Sequence, residues 1–149
     1  MMKLFTLTVG KPDSMFDVST NDYTKRIARF CSFKEEHVPK AKRPGDVEAE
    51  GEALLSRVQG GAYLFALDVA GKELSSEELA TLLGGLMDEG RNACFLIGGA
   101  FGIGENVRKR ADMRLSLSKM TMSHDVARAV LYEQIYRAFT IINNMPYHK

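Results

Sequence analysis

Apolar stretches of strand length recur at Lys3–Val9, Phe33–Val38, Ala62–Leu67, Ala93–Ile97 and Met113–Leu117, and segments with helical spacing fall between them. This alternation predicts βα units throughout, hence an α/β fold with a mostly parallel sheet covered by helices on both faces. In 76–88, Leu79, Leu82, Leu83 and Leu86 form one apolar stripe, and Ser75 with Glu78 three residues on predicts a capping box at the start. The last helix is expected from about Asp125 to Ile142. It places Val126, Val130, Arg137 and Ile141 along one side and Arg128, Tyr132, Ile135 and Phe139 along another. Pro39–Gly45 reads as a charged loop before a helix at about 46–58. Repeats and low-complexity tracts are absent.

At 149 residues, 45% hydrophobic and 26% charged, the chain suits one domain spanning 1–149. Its net charge of +1 gives no global attraction to nucleic acid or to an acidic membrane, so any such attraction must be local. Two local patches exist. Residues 105–149 carry an excess of basic side chains, and Lys25, Arg26, Arg29, Lys34, Lys40, Lys42 and Arg43 outnumber Glu35 and Glu36 in the first third. These are solvated faces or a track for a phosphate backbone. Cys31 and Cys94 stand far apart in apolar surroundings and read as core thiols. His37, His124 and His148 are not at ligand spacing, so no metal is expected. No apolar run is long enough to span a membrane and the start lacks a signal peptide's apolar region, so a cytoplasmic location is expected.

The most suggestive string is Phe95-Leu96-Ile97-Gly98-Gly99-Ala100-Phe101-Gly102-Ile103-Gly104, a buried strand ending in a glycine-rich loop. Such loops bring backbone N–H groups close to a ligand. The order of glycines fails the dinucleotide fingerprint, which would need a glycine at Val107. It also fails the phosphate loop, because Glu105 stands where a lysine belongs. A ligand with little phosphate and some positive charge fits better. On the residues alone, a structural turn explains the glycines equally well. Two further strings are Leu115-Ser116-Leu117-Ser118-Lys119-Met120-Thr121-Met122-Ser123-His124, a strand followed by a polar turn, and the tail Met145-Pro146-Tyr147-His148-Lys149. The tail's aromatic, imidazole and ammonium groups are those that stack on a base and pair with phosphate.

Together, Leu67-Asp68-x-x-Gly71-Lys72, Ile97-Gly98-Gly99-Ala100-x-Gly102, Ser116-Leu117-Ser118-x-Met120-Thr121-x-x-His124, and Glu133-Gln134-x-Tyr136-Arg137-Ala138 with Pro146-Tyr147-His148 resemble one family. It is the RlmH-type (YbeA-like) ribosomal RNA large-subunit methyltransferases of the SPOUT superfamily, and the resemblance runs from the first strand to the penultimate residue. It implies a single SPOUT-type domain with a C-terminal trefoil knot within about 93–149, a topology that general folding rules would discard. It also implies a homodimer that uses S-adenosyl-L-methionine to methylate N3 of a pseudouridine in helix 69 of 23S rRNA, within the assembled 70S ribosome. The implied cofactor positions are Leu67, Gly99, Ser118, Lys119, Met120, Thr121, Met122 and Ser123, with no membrane and no metal involved. Three positions depart from the family: Leu115 replaces Trp, Ser123 replaces Pro and Met145 replaces His. Ser123 removes a fixed φ, although Ser is itself a good N-cap.

Methyl transfer to an imide nitrogen requires alignment of the reacting atoms and a way to remove or stabilise a proton. His124, Arg137, Tyr147 and His148 are the candidate catalytic groups. For Arg137 the competing reading is an ion pair with Glu133 one helical turn earlier. A rival to the enzyme is a non-catalytic homodimeric RNA-binding module on the same scaffold, which the neutral glycine loop and Ser118–Ser123 argue against.

Overall fold

The computed structural model describes residues 1–149. Strands β1 (Lys3–Val9), β2 (Ser32–Val38), β3 (Tyr63–Glu73), β4 (Ala93–Ile97) and β5 (Met113–Ser116) form one sheet in the order β2-β1-β4-β3-β5. Every neighbouring pair is parallel. Between the strands run α1 (Asp17–Ile27), α2 (Val47–Leu55), α3 (Ser76–Asp88) and α4 (Glu105–Arg110), and α5 (His124–Ile142) follows the last strand. The α/β alternation expected from the sequence is therefore present, and 3–9, 76–88 and 93–97 fall on the expected bounds. No helix is long and apolar enough to cross a membrane.

The period of two along each strand sorts side chains into two cores. Leu4, Phe65, Phe95 and Ile97 project to the face covered by α1, α3 and α5, while Leu7, Val9, Leu64, Ala66, Cys94 and Leu96 project to the face covered by α2 and α4. Phe65 and Phe95 are register partners, and their rings stack at 4.3 Å. Both edges of the sheet are guarded: β2 exposes Lys34, Glu35 and His37, and β5 is only four residues long. Cys31 and Cys94 are buried free thiols, each pushed up to about 12 by burial.

Two elements depart from the expected bounds by more than one residue. The helix expected at 46–58 ends at Leu55, before Gln59-Gly60-Gly61 turns the chain. β3 continues past Leu67 to Glu73, because Leu67 and Lys72 both pair with Leu115, leaving Asp68–Gly71 as a bulge. Gly71 makes the bulge possible, since a Cβ there would lie 2.6 Å from the Arg114 carbonyl oxygen.

Of the two sides of α5, the one bearing Arg128, Tyr132, Ile135 and Phe139 is buried, and Val126, Val130, Arg137 and Ile141 are half-buried. Arg128 sits on the buried side because it is paired: its Nε donates to Glu35 at 3.0 Å, and Tyr132 also donates to Glu35. The Tyr132 hydroxyl has one hydrogen, so the Thr6 hydroxyl 2.6 Å away donates to it. Burial and the Glu35 carboxylate hold the Tyr132 phenol well above the usual tyrosine range. This network fixes α5 to β1 and the edge strand β2.

Candidate functional site

The C-terminal ends of β3, β4 and β5 open into one cavity, the place where ligands bind in open parallel sheets. Its walls are Leu67, Ile97, Ile103, Leu115, Leu117, Met120 and Met122, together with the backbone of Gly98, Gly99, Ala100 and Gly102. The loop after β4 doubles back tightly: the Gly102 N–H donates to the Gly99 carbonyl at 3.0 Å, and Gly102 has φ +81°. A Cβ on Gly98 would lie 2.6 Å from the Gly102 carbonyl oxygen, so this glycine is required by the loop itself. A Cβ on Gly99 would instead meet Val9 at 3.3 Å, on the α2 side of the sheet.

Ser118 shapes the opposite wall. Its hydroxyl accepts from the Met120 N–H at 3.0 Å, and its carbonyl accepts from Ser116 at 2.9 Å. Met120 is 78% exposed, free to lie over an entering ring. Ser123 caps α5, accepting from the Val126 N–H at 3.3 Å, so the cap expected of a serine at this position is made. His124 opens α5, lines the cavity and lies 3.7 Å from Asp125. The structure thus brings Leu67, Gly99, Ser118, Met120, Thr121, Met122 and His124 to one cavity, while Lys119 and Ser123 belong to the same turn without lining it. The family's tryptophan position, Leu115, is buried between this cavity and the α3–α5 core.

Sequence reasoning missed two features here. Glu48 of α2 already caps α4: its carboxylate accepts from the N–H groups of Glu105 at 2.6 Å and Asn106 at 3.3 Å. The helix end that a nucleotide phosphate would need is therefore occupied by a carboxylate. The second is the polar corner made by Asp68 and Arg108, which also line the cavity. The bulge in β3 turns Asp68 inward, and only the pairing register reveals a bulge.

Arg137, Tyr147 and His148 lie elsewhere, none of them on the cavity. His124 and Arg137 are thirteen residues apart on one helix, about 20 Å along its axis. The tail is not frayed. Tyr147 packs edge-on against Tyr136 at 4.7 Å and donates to Glu133 at 3.1 Å. Arg137 pairs with the same carboxylate through Nε at 3.0 Å, lies over the Tyr147 ring and donates to His148 Nδ1 at 3.1 Å. Arg137 can only donate, so Nδ1 accepts and the His148 hydrogen sits on Nε2, 2.6 Å from Glu77 of α3. Packing thus supplies a folding role for these terminal residues, which their composition alone did not suggest. Burial, with hydrogen bonds to Tyr23 and Glu133, holds the Tyr147 phenol well above the usual tyrosine range, so it remains protonated at neutral pH. Arg26, whose guanidinium lies 5.4 Å over Tyr136, brings the first-third basic cluster beside the tail. No three His, Cys, Asp or Glu side chains converge as a metal site would require.

Known proteins share both the pattern and the fold. The family model described as a predicted SPOUT methyltransferase matches residues 2–148. The ribosomal RNA large subunit methyltransferase H of Limosilactobacillus reuteri (strain DSM 20016) is 40% identical over 159 aligned residues, spanning 99% of this chain and 100% of the relative. The protein of the same description from Clostridioides difficile (strain 630) is 36% identical with the same coverage. The solved structure of a probable methylase family protein from Haemophilus influenzae Rd KW20 shares the fold, with a TM-score of 0.57 at 10% identity over 99% of this chain and 70% of that one. Matched over residues 2–148 by the family model and over 99% of its length by relatives up to 40% identical, this chain belongs to the SPOUT methyltransferases, within the ribosomal RNA large subunit methyltransferase H family.

Proposed function

We propose that this protein methylates N3 of a pseudouridine in helix 69 of 23S rRNA, using S-adenosyl-L-methionine and acting as a homodimer on the assembled 70S ribosome. The observation that carries this reading is the cavity at the strand ends. Its apolar walls, its exposed backbone edges and the carboxylate already seated on the neighbouring α4 suit a nucleoside without phosphate better than a phosphorylated one. Leu67, Gly99 and the run Ser118–Ser123 would hold the cofactor, which when bound supplies an electrophilic methyl group on sulfur. These residues contribute alignment, and proximity of this kind is worth about 7–11 kcal/mol.

The imide proton falls to the tail cluster and to His124 at the cavity mouth. Arg137, Tyr147 and His148 form a preassembled cationic and hydrogen-bonding cluster that would orient the base and stabilise its developing negative charge. His124 at the cavity mouth is the second candidate to receive the proton. The distance between cluster and cavity within one chain supports the dimer, in which one protomer's tail faces its partner's cavity. Met15 and Val18, 77% and 87% exposed, and the half-buried Val126 and Val130 provide apolar surface for such an interface. Closure of this kind would also join the two basic patches, one near each site. The reading includes the trefoil knot, supported by the way the loops after β4 and β5 close on one cavity before α5 departs.

The test is transfer of a radiolabelled methyl group to assembled 70S ribosomes, isolated 50S subunits and free rRNA. Label is expected on 70S ribosomes, at N3 of the helix 69 pseudouridine after nuclease digestion. Label at another base, or equal labelling of free rRNA, would overturn the substrate assignment.

A further inference from the structure

The polar corner of the cavity, together with Arg114 beside it, contains more positive charge than its one carboxylate neutralises. Asp68, whose side chain is 9% exposed, faces two arginines with one oxygen: Oδ2 lies 3.5 Å from Arg108 Nε and 3.6 Å from Arg114 Nη1. Its other oxygen is committed to the bulge, accepting from the Ala70 N–H at 3.0 Å. One carboxylate thus serves two guanidinium groups. Arg108 is anchored by its Nε, and its two terminal nitrogens make no hydrogen bond within the chain while the residue lines the cavity. A guanidinium held by one edge, with its outer donors free, is arranged to receive a planar anion.

We propose that Arg108 is the cavity's carboxylate receptor, binding the amino-acid end of the cofactor and setting the preference for a complete methionine moiety over a bare nucleoside. Asp68 acts as the positioning residue: it holds Arg108 toward the cavity, and its charge leaves room for one anion rather than a polyphosphate. The assignment rests on the reading of this cavity as the S-adenosyl-L-methionine site and adds to it the group that distinguishes ligands sharing one adenosine. Arg108 was visible in the sequence only as part of a basic stretch on a short helix. Nothing in its spacing separated it from Lys109 and Arg110, which do not line the cavity.

The experiment is calorimetric titration of the full-length protein and of Arg108→Gln and Arg108→Lys with two probes. S-adenosylhomocysteine carries the carboxylate, and 5′-methylthioadenosine lacks it. Arg108→Gln should weaken S-adenosylhomocysteine about tenfold to a hundredfold, the range for losing a hydrogen-bonded charge, and leave 5′-methylthioadenosine within about twofold. Arg108→Lys, which keeps the charge without the planar fork, should fall between. Asp68→Asn should reduce the discrimination between the probes more than the affinity for 5′-methylthioadenosine. Equal weakening of both probes by Arg108→Gln would reduce Arg108 to a wall of the cavity and overturn the proposal. Unchanged binding of both, with a raised KM for ribosomes, would place the arginine on the RNA backbone and overturn it as well. If the wild-type protein bound neither probe, the cofactor reading itself would fail, an outcome distinct from the other two.

Discussion

The two ends of α5 are built on opposite principles. At its start the cavity is made of backbone edges and apolar walls, with glycines where the chain must pass close and most polar groups already satisfied. At its end the tail cluster is made of side chains, two rings packed edge to face and a guanidinium, an imidazole and two carboxylates joined by hydrogen bonds. The first is a shape that a ligand completes. The second is complete without a ligand, which is why it can be ordered at a chain terminus, where fraying is the usual outcome.

Removing residues 147–149 separates the two most sharply. Methylation of 70S ribosomes should fall by about two orders of magnitude or more, since contacts made near the transition state are lost, while S-adenosylhomocysteine affinity remains within about twofold. Truncated protein active at the full-length rate would detach the tail from the chemistry. Gly98→Ala is the reciprocal change. Its Cβ would collide with the Gly102 carbonyl, so the loop must open, and S-adenosylhomocysteine affinity should drop at least tenfold, read as a lost thermal shift. Gly99→Ala should cost less, because Val9 can yield a few tenths of an ångström.

Smaller effects sharpen the same contrast. Tyr132→Phe leaves Thr6 and Glu35 short of a partner and should destabilise the fold by about 1–3 kcal/mol in chemical denaturation, with cofactor affinity unchanged. The two serine caps form the finest comparison. Ser75→Ala and Ser123→Ala should each cost about 1 kcal/mol, but only Ser123→Ala should also weaken S-adenosylhomocysteine binding, since it caps the helix that leaves the turn proposed to hold the cofactor. Equal binding by the two variants would mean that the loop holds its shape independently of α5.

What the sequence revealed divides along these lines. Strand alternation, the capping box at Ser75 and the stripe of α3 are local patterns, and they appear in the structure where periodicity placed them. The failure of both phosphate fingerprints was also local, legible from Val107 for one and Glu105 for the other. The Glu48 cap and the Asp68–Arg108 pair were not legible, because each joins residues 40 or more positions apart through the order of the strands. The separation of Arg137 from the cavity had a similar cause. Helical spacing gives distance along an axis, but nothing local says on which end of that axis the strands open.

The larger of the two cores draws Leu131, Tyr132, Ile135, Tyr136, Ala138 and Phe139 from the last helix. During synthesis, then, that apolar face of the sheet is covered only in part, by α1 and α3, until α5 has emerged, and pairings such as Glu35 with Arg128 join segments made far apart in time. The complete core forms through contacts of high sequence separation, which makes this a slow-folding chain for its length. The same geometry gives it a long interval in which the faces of β1, β3 and β4 invite aggregation, and charged β2 and short β5 at the sheet's edges are its defence during that interval.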